Sequence, residues 1–247
     1  SDWALYLNSA MNTDLELGRI LKQLEDAGEL EKTIIFFLTD HGVSHARGKQ
    51  FMYEEGMRIP LVLRGPGIEA GQVRPDLVLQ IDLAATSLAL AGIEIPAGMQ
   101  GVDLLAEDYR PRQYIVSARD RCDETVDRMR AVRTENFKYI RNFYPQRPYL
   151  QPNAYTDNKP IIRQMRVLHA AGTLDGYQAL IMAPVRPVEE LYDLRSDPSE
   201  LHNLAATRGS RRVLADHRAM LDDWIVQSGD RGATPESADR KSVAWGK

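Results

Sequence analysis

The feature that most constrains this chain is an apolar run, Ile34-Ile35-Phe36-Phe37-Leu38, that stops at Thr39-Asp40-His41-Gly42. A stretch that is apolar at every position and rich in β-branched and aromatic residues has no wet face. It reads as a central strand of a parallel sheet, buried on both sides. Ligands of open α/β sheets bind beyond the carboxyl ends of the strands. Asp40 and His41, two side chains of metal-ligating type, stand at such an end, and Gly42 lets the backbone turn sharply behind them. Asp and Gly are also ordinary turn residues, so these positions alone fit a plain strand-to-loop turn equally well.

Upstream, Leu15, Leu17, Ile20, Leu21 and Leu24 recur at mostly helical spacing. This predicts a helix over 12–27, with Asn12 or Thr13 as its N-cap and Gly28 closing it. Downstream, 61–63 is a second apolar strand ending in Gly65-Pro66-Gly67, and 78–81 is a short third. Asp82 resembles a catalytic carboxylate, but its place before a helix that stops at Gly92 makes capping the better reading. Residues 93–105, with Pro96, Gly98 and Gly101, read as an irregular connection. Composition shifts over 107–112, which separates an α/β domain (1–107) from a second part (108–247). There, 113–118, 128–134, 137–143 and 191–194 read as strands, the middle two forming a hairpin across Glu135-Asn136. Short strands joined by tight turns make an antiparallel sheet. Residues 211–227 form an amphipathic helix turning Val213, Leu214, Met220, Leu221 and Trp224 inward. The polar stretch 228–247 reads as a tail or an arm over a neighbour.

Past the turn the chain runs Gly48-Lys49-Gln50-Phe51-Met52-Tyr53-Glu54-Glu55-Gly56-Met57-Arg58-Ile59-Pro60-Leu61-Val62-Leu63-Arg64-Gly65-Pro66-Gly67. This ordered segment resembles the sulfatase family, in which a strand ending in Asp-Asn-Gly or Asp-His-Gly leads through a lysine to Tyr-Glu-Glu-Gly-x-Arg-x-Pro. A second segment, Glu190-Leu191-Tyr192-Asp193-Leu194-Arg195-Ser196-Asp197-Pro198-Ser199-Glu200 and then Asn203-Leu204-Ala205, is similar to the family's C-terminal signature of strand, turn and capped helix. The resemblance implies an α/β fold: part of an alkaline-phosphatase-like α/β/α sandwich, followed by a small antiparallel sheet subdomain with a C-terminal helix. It implies that Asp40 and His41 are two ligands of an active-site divalent cation, and that Lys49 contacts the sulfate or the leaving oxygen. Ca²⁺ is the first expectation by resemblance. Mn²⁺ and Zn²⁺ are the alternatives, because His41 offers a nitrogen where the family's commoner Asn would offer a carbonyl oxygen. His45 is a second candidate acid, with a plain loop-surface role as its alternative.

A sulfate monoester is a poor electrophile crowded with negative oxygens. Cleaving it takes a cation to gather charge, a nucleophile in line with the leaving oxygen and a proton donor for that oxygen. Lys49 fits either neutralisation of the sulfate or protonation of the departing alkoxide; away from such a site it would be one more solvated lysine. Arg119, Arg121, Arg128, Arg130 and Arg133 crowd the second part. Pairing with Asp120, Asp123, Glu124 and Asp127 accounts for most of them, and Arg119 and Arg121 are the expected substrate-binding pair for an anionic sugar. The aromatic stretch 142–150 either lines a sugar site or covers a core.

The family nucleophile is a formylglycine made from the Cys or Ser of a Cys/Ser-x-Pro-x-Arg motif. Cys122 stands instead in Arg121-Cys122-Asp123-Glu124, and the family's first pair of aspartate ligands has no counterpart before Asp40. The expectation is therefore the C-terminal portion of a sulfatase acting on carbohydrate sulfate esters or sulfamates. It would be inactive alone, its formylglycine being supplied by the N-terminal half of the same enzyme. The alternatives are a phosphodiesterase or phosphonate hydrolase of the same superfamily, and a non-catalytic fragment that binds an anionic sugar.

A net charge of −4 with both signs interspersed gives no electrostatic case for nucleic acid or an anionic membrane surface. No apolar run approaches the roughly 20 residues that span a membrane. With one cysteine, Cys122, no intrachain disulfide forms. Ser1-Asp2-Trp3 lacks the pattern of a secretory signal, and a periplasmic or secreted location is what the resemblance implies.

Overall fold

The computed structural model of the chain describes residues 2–122 and 124–234. In chain order the elements are α1 (Asp2–Asp26), β1 (Ile35–Leu38), α2 (Glu54–Met57), β2 (Leu61–Arg64), α3 (Ile81–Leu90), β3 (Tyr114–Cys122), β4 (Thr125–Thr134), β5 (Phe137–Asn142), α4 (Ala154–Asp157), α5 (Pro160–Ala170), α6 (Gly176–Leu180), β6 (Glu189–Asp193) and α7 (Arg211–Ser228). Two compact units divide them: 1–74 with 148–183, and 75–147 with 184–247.

In the first unit, α1 begins well before the predicted cap. Ala4, Leu5, Leu7, Ala10 and Met11 are good helix formers, so nothing stops the helix there. Thr13 donates its hydroxyl to the Ser9 carbonyl (3.0 Å) inside the helix instead of capping it. The predicted end holds: Gly28 is left-handed (φ 69) and Glu29 N–H closes back on the Leu24 carbonyl (2.9 Å). Of the expected inward stripe, Leu17, Leu21 and Leu24 are half-buried, whereas Leu15 and Ile20 are exposed. No helix among the described residues is long and apolar enough to cross a membrane.

Among the described residues the apolar run lies in no parallel pair. β1 pairs antiparallel with β2, Ile35 opposite Arg64 and Leu38 opposite Leu61, and all four β1 residues are half-buried. Parallel neighbours need a crossover, usually a helix. Here the connection is a loop cinched on itself, with Gly42 N–H donating to the Gly56 carbonyl (3.0 Å), and it returns the chain beside its own outgoing strand. Helices α4–α6 lie in a stretch where the sequence reading placed no elements. Their signals are present: Asn153 caps α4 by accepting from Thr156 N–H, Pro160 opens α5, and Asp175 with Gln178 forms a capping box on α6.

The second unit is built on the expected antiparallel sheet, in the order β3-β4-β5-β6. Glu135-Asn136 turns β4 into β5, with Arg133 opposite Lys138. Helix α7 lays buried Leu214 and Leu221 on Val132, Tyr139 and Leu191 of the sheet, with Val213, Met220 and Trp224 packed around them, as the amphipathic pattern predicts. Residues 78–80 form no strand, and α3 opens at Ile81 with Gln80 in the capping position. Asp82, fully buried one residue inside the helix, is structural in a different way. It accepts from the N–H groups of Leu79 (2.8 Å) and Val102 (3.0 Å) and takes both arms of Arg112 (2.6 and 2.7 Å). The 190–205 signature folds as strand and turn without the expected helix. Asn203 accepts from Leu191 N–H (3.0 Å), Asp197 accepts from Leu201 and His202, and the next α-helix is α7.

The start of the predicted tail is tied down. Arg130, fully buried on β4, is held by Asp120 (2.8 Å) and Asp230 (2.7 Å), and Arg128 reaches Asp230 at 3.5 Å. Gly232 lies so close that a Cβ there would stand 2.0 Å from the Arg130 guanidinium. Residues 235–247 of that tail, and Asp123, lie outside the described residues. Burial pulls the Asp230 carboxyl upward, but its hydrogen bonds to Arg130 and to Gly232 N–H win and hold it below the usual range. Such a carboxylate stabilises the fold above its unfolded pKa, and the contribution is lost as pH falls through the folded one. Asp230→Asn should therefore cost about 2 kcal/mol at neutral pH. In urea melts its deficit against the parent should shrink below about pH 4; a deficit that is the same at every pH contradicts the assignment.

Candidate active site

The loop between β1 and β2 is held by three glycines that leave no room for a side chain. A Cβ at Gly42 would meet the Glu55 carbonyl at 1.9 Å, one at Gly48 the Val43 carbonyl at 1.8 Å, and one at Gly56 the Gly48 carbonyl at 2.3 Å. Backbone bonds run through the same contacts: Val43 N–H to Glu55 O (3.1 Å), Lys49 N–H to Val43 O (2.8 Å) and Phe51 N–H to Gly48 O (3.0 Å). Phe51, Met52 and Tyr53 are buried beneath it, with the Phe51 and Tyr53 rings stacked and Arg47 lying 3.8 Å over the Tyr53 ring. Gln50, next to Lys49, has φ 82. A non-glycine residue in that region is strained, and such strain persists only where the surroundings impose it.

This loop carries four of the six candidate residues. Asp40 and His41 sit at the end of β1, with His41 Nε2 3.5 Å from Asp40 Oδ2. His41 Nδ1 lies 2.7 Å from the Gly42 carbonyl, which can only accept, so Nδ1–H is the donor there. The Asp40 carboxylate and His41 Nε2 are left turned toward one another. Two ligands of one divalent ion, each bonded at about 2.0–2.4 Å, are separated by roughly 3–3.5 Å. The spacing of the pair is compatible with a shared cation, with the Asp40 side chain exposed and that of His41 half-buried. Among the described residues no group of three or more His, Cys, Asp and Glu side chains converges to hold a metal.

His45 packs against α1, its ring 5.7 Å from Trp3 and 5.6 Å from Tyr6, which stack on each other at 5.2 Å. Lys49 points its ammonium at the Tyr155 ring, 4.8 Å from the centroid. Ser44 Oγ is 2.8 Å from Tyr155 Oη, and Lys159 donates to Ser44 O (2.6 Å) and Oγ (2.7 Å). Trp3, Tyr6, Tyr155 and Lys159 were not singled out by sequence. The i,i+3 spacing of Trp3 and Tyr6 and the i,i+4 spacing of Tyr155 and Lys159 were the signals on offer.

Arg119 and Arg121 belong to β3 of the second unit. Arg119 is buried, and that burial pulls its guanidinium below the usual arginine range, against the nearby Asp127 carboxylate. Arg121 is half-buried beside the register shift in β3. Arg130 pairs with Asp120 as the plain reading expected, and Asp127 is taken by Arg186 at 2.7 Å, a residue the sequence did not flag.

The glycine lock has a direct test. Gly42→Ala should destabilise the chain by about 2 kcal/mol or more. Gly18→Ala, where a new Cβ meets nothing within 4 Å on α1, should be neutral or stabilise by up to about 1 kcal/mol. Denaturant midpoints that rank the two variants the other way refute the lock.

Residues 1–93 match the family model Sulfatase. Along 95% of its length the chain is 40% identical to an ulvan-active sulfatase of Formosa agariphila, covering 40% of that protein. It is 30% identical to an N-acetylglucosamine-6-O-sulfatase of Bacteroides thetaiotaomicron over 85% of this chain and 39% of that one. The crystal structure of a candidate sulfatase from Bacteroides thetaiotaomicron superposes on 88% of the chain with a TM-score of 0.63 at 26% identity, and 41% of that chain is covered. The chain thus spans about two fifths of the length of the relatives it matches. The loop, the strands and the sheet-and-helix unit described above are those of a chain that belongs to the sulfatase family, within the alkaline-phosphatase-like superfamily.

Proposed function

We propose that this chain is the C-terminal portion of a sulfatase that hydrolyses sulfate esters or sulfamates of carbohydrates. The observation that carries the reading is that Asp40 Oδ2 and His41 Nε2 stand 3.5 Å apart on the loop that also bears Lys49. The glycan part rests on relatives whose names are those of an ulvan-active sulfatase and an N-acetylglucosamine-6-O-sulfatase.

In this reading Asp40 and His41 supply two ligands of a divalent cation. Ca²⁺ is favoured by family, while the His41 nitrogen keeps Mn²⁺ and Zn²⁺ in contention. When bound, the cation gathers the negative charge of the sulfate. Lys49 places an ammonium on a sulfate oxygen or on the leaving oxygen, where charge grows as the ester bond breaks. His45, wedged between its ring neighbours and the loop, is the second donor for that oxygen. Arg119 and Arg121 are retained as candidate contacts to an anionic substrate, although the burial of Arg119 favours a structural role.

The formylglycine nucleophile is assigned to a segment outside this sequence. Cys122 is followed by Asp123-Glu124, and Ser196-Asp197-Pro198 by Ser199-Glu200, so neither supplies Cys/Ser-x-Pro-x-Arg. Exposed apolar side chains on α1 (Trp3, Leu5, Met11, Leu15 and Ile20), with Val62 on β2, support a further segment of the same enzyme covering this unit.

Two measurements test the proposal. Calorimetric titration with Ca²⁺ and Mn²⁺ should give saturable heat that Asp40→Ala abolishes; equal heats from parent and variant remove the metal assignment. In the complete enzyme, Lys49→Ala should lower kcat on N-acetylglucosamine 6-sulfate at least about a hundredfold. Undiminished turnover, or turnover only of a phosphonate ester by the parent, rejects the sulfatase reading.

A further inference from the structure

The Tyr155 ring is the meeting point of two ammoniums. Lys49 Nζ lies 4.8 Å from its centroid and Lys159 Nζ 4.2 Å, so the two cations are separated by no more than those distances laid end to end. Among the described residues neither lysine has a carboxylate partner. Lys159 spends two of its three N–H donors on Ser44, on the carbonyl oxygen (2.6 Å) and on Oγ (2.7 Å), which leaves its charge unneutralised. The phenol of Tyr155 responds to these surroundings. Its hydrogen bond with Ser44, with the two ammoniums behind it, holds it below the usual tyrosine range against the opposing pull of burial.

Like charges brought this close repel, and the ring faces recover only part of that cost. Arginines of the second unit show the ordinary remedy, since Arg130 and Arg186 are each matched by carboxylates. Lys49 and Lys159 are not, and Tyr155 between them is 41% exposed. Concentrated positive charge at an accessible surface, with hydroxyls beside it, is the chemistry of a site for more than one anionic group.

We propose that Lys159, held beside Lys49 by Ser44 and the Tyr155 ring, is a specificity-determining residue that takes a second anionic group of the sugar whose sulfate Lys49 engages. The inference rests on the reading of Lys49 as the sulfate contact and deepens it: the substrate class becomes glycans carrying two negative groups within reach of each other. The second group is a carboxylate or another sulfate, both planar or tetrahedral arrays of acceptor oxygens that one ammonium serves equally.

The test is a binding titration of the complete enzyme at low salt with three sugars. These are N-acetylglucosamine 6-sulfate, with one anionic group; glucosamine 2-N,6-O-disulfate, with two sulfates; and a 2-O-sulfated hexuronate, with a sulfate and a carboxylate. At least one of the two-anion sugars should bind about tenfold more tightly than the first, with the gain shrinking as salt rises. Which of them gains identifies the second group. Lys159→Met should erase the gain, Lys159→Arg should restore it, and Ser44→Ala, which removes one tether but no charge, should keep it. Equal affinities for all three sugars, no binding of any, or a preference that survives Lys159→Met overturns the proposal. Lys49→Met reads the underlying assignment separately. It should weaken all three sugars alike, and if it weakens none, the sulfate role of Lys49 fails while the Lys159 comparison still reports on the second charge.

Discussion

The tightest constraint in the first unit is steric: backbone carbonyls stand where side chains at Gly42, Gly48 and Gly56 would have to go. That exclusion sets the path of the loop on which Asp40, His41 and Lys49 stand, with His41 Nε2 3.5 Å from Asp40 Oδ2 and His41 Nδ1 2.7 Å from the Gly42 carbonyl. The carbonyl that binds Nδ1–H belongs to a residue whose own Cα is pressed against Glu55, so the ring is oriented by backbone that cannot relax. Gly48 and Gly56 extend the same contact to Lys49, which ties the position of the ammonium to that of the ligand pair. A loop held by steric exclusion keeps its geometry without a large core behind it.

Charge is handled differently in the second unit and beside the loop of the first. In the second, buried cations are matched to anions: Arg186 to Asp127, Arg130 to Asp120 and Asp230, Lys138 to Glu200 at 3.4 Å, and Asp82 to Arg112. Removing one member of such a pair leaves its partner stranded in a low-dielectric setting, which is why pairs of this kind hold a fold in one arrangement. In the first unit the cations beside the loop, Lys49 and Lys159, rest on an aromatic ring and on hydroxyl and carbonyl oxygens. Charge left without a counter-charge has been kept available, and on the proposed reading the substrate supplies the missing sign.

What the sequence made legible follows from how local each signal was. The Gly28 stop, the Glu135-Asn136 hairpin and the inward face of α7 depend on a few neighbouring residues, and each was readable as such. The family segment from Gly48 to Gly67 was legible as a pattern, and it brought Lys49 in beside Asp40 and His41, which the end of the apolar run had already marked. Ile34–Leu38 was read as a strand of a parallel sheet, and the pairing it makes among the described residues is antiparallel, because hydrophobicity reports burial and says nothing of direction. The direction was set by the glycine contacts that fold the loop back. Asp82 was read correctly as structural but through the wrong device, since its partners Val102 and Arg112 come from later in the chain. Tyr155 and Lys159 were invisible for the same reason: they meet Ser44 across more than a hundred residues, and no local pattern encodes that.

The claim on which the account turns is that one cation bridges Asp40 and His41. Manganese-induced paramagnetic relaxation, followed in NMR spectra of the isotopically labelled chain at substoichiometric Mn²⁺, reads the position of that ion directly. The account predicts that the His41 ring and the backbone signals of residues 40–42 broaden first, ahead of every other acidic site. Broadening that begins elsewhere, or spreads evenly over the surface carboxylates while the His41 ring stays sharp, would contradict it.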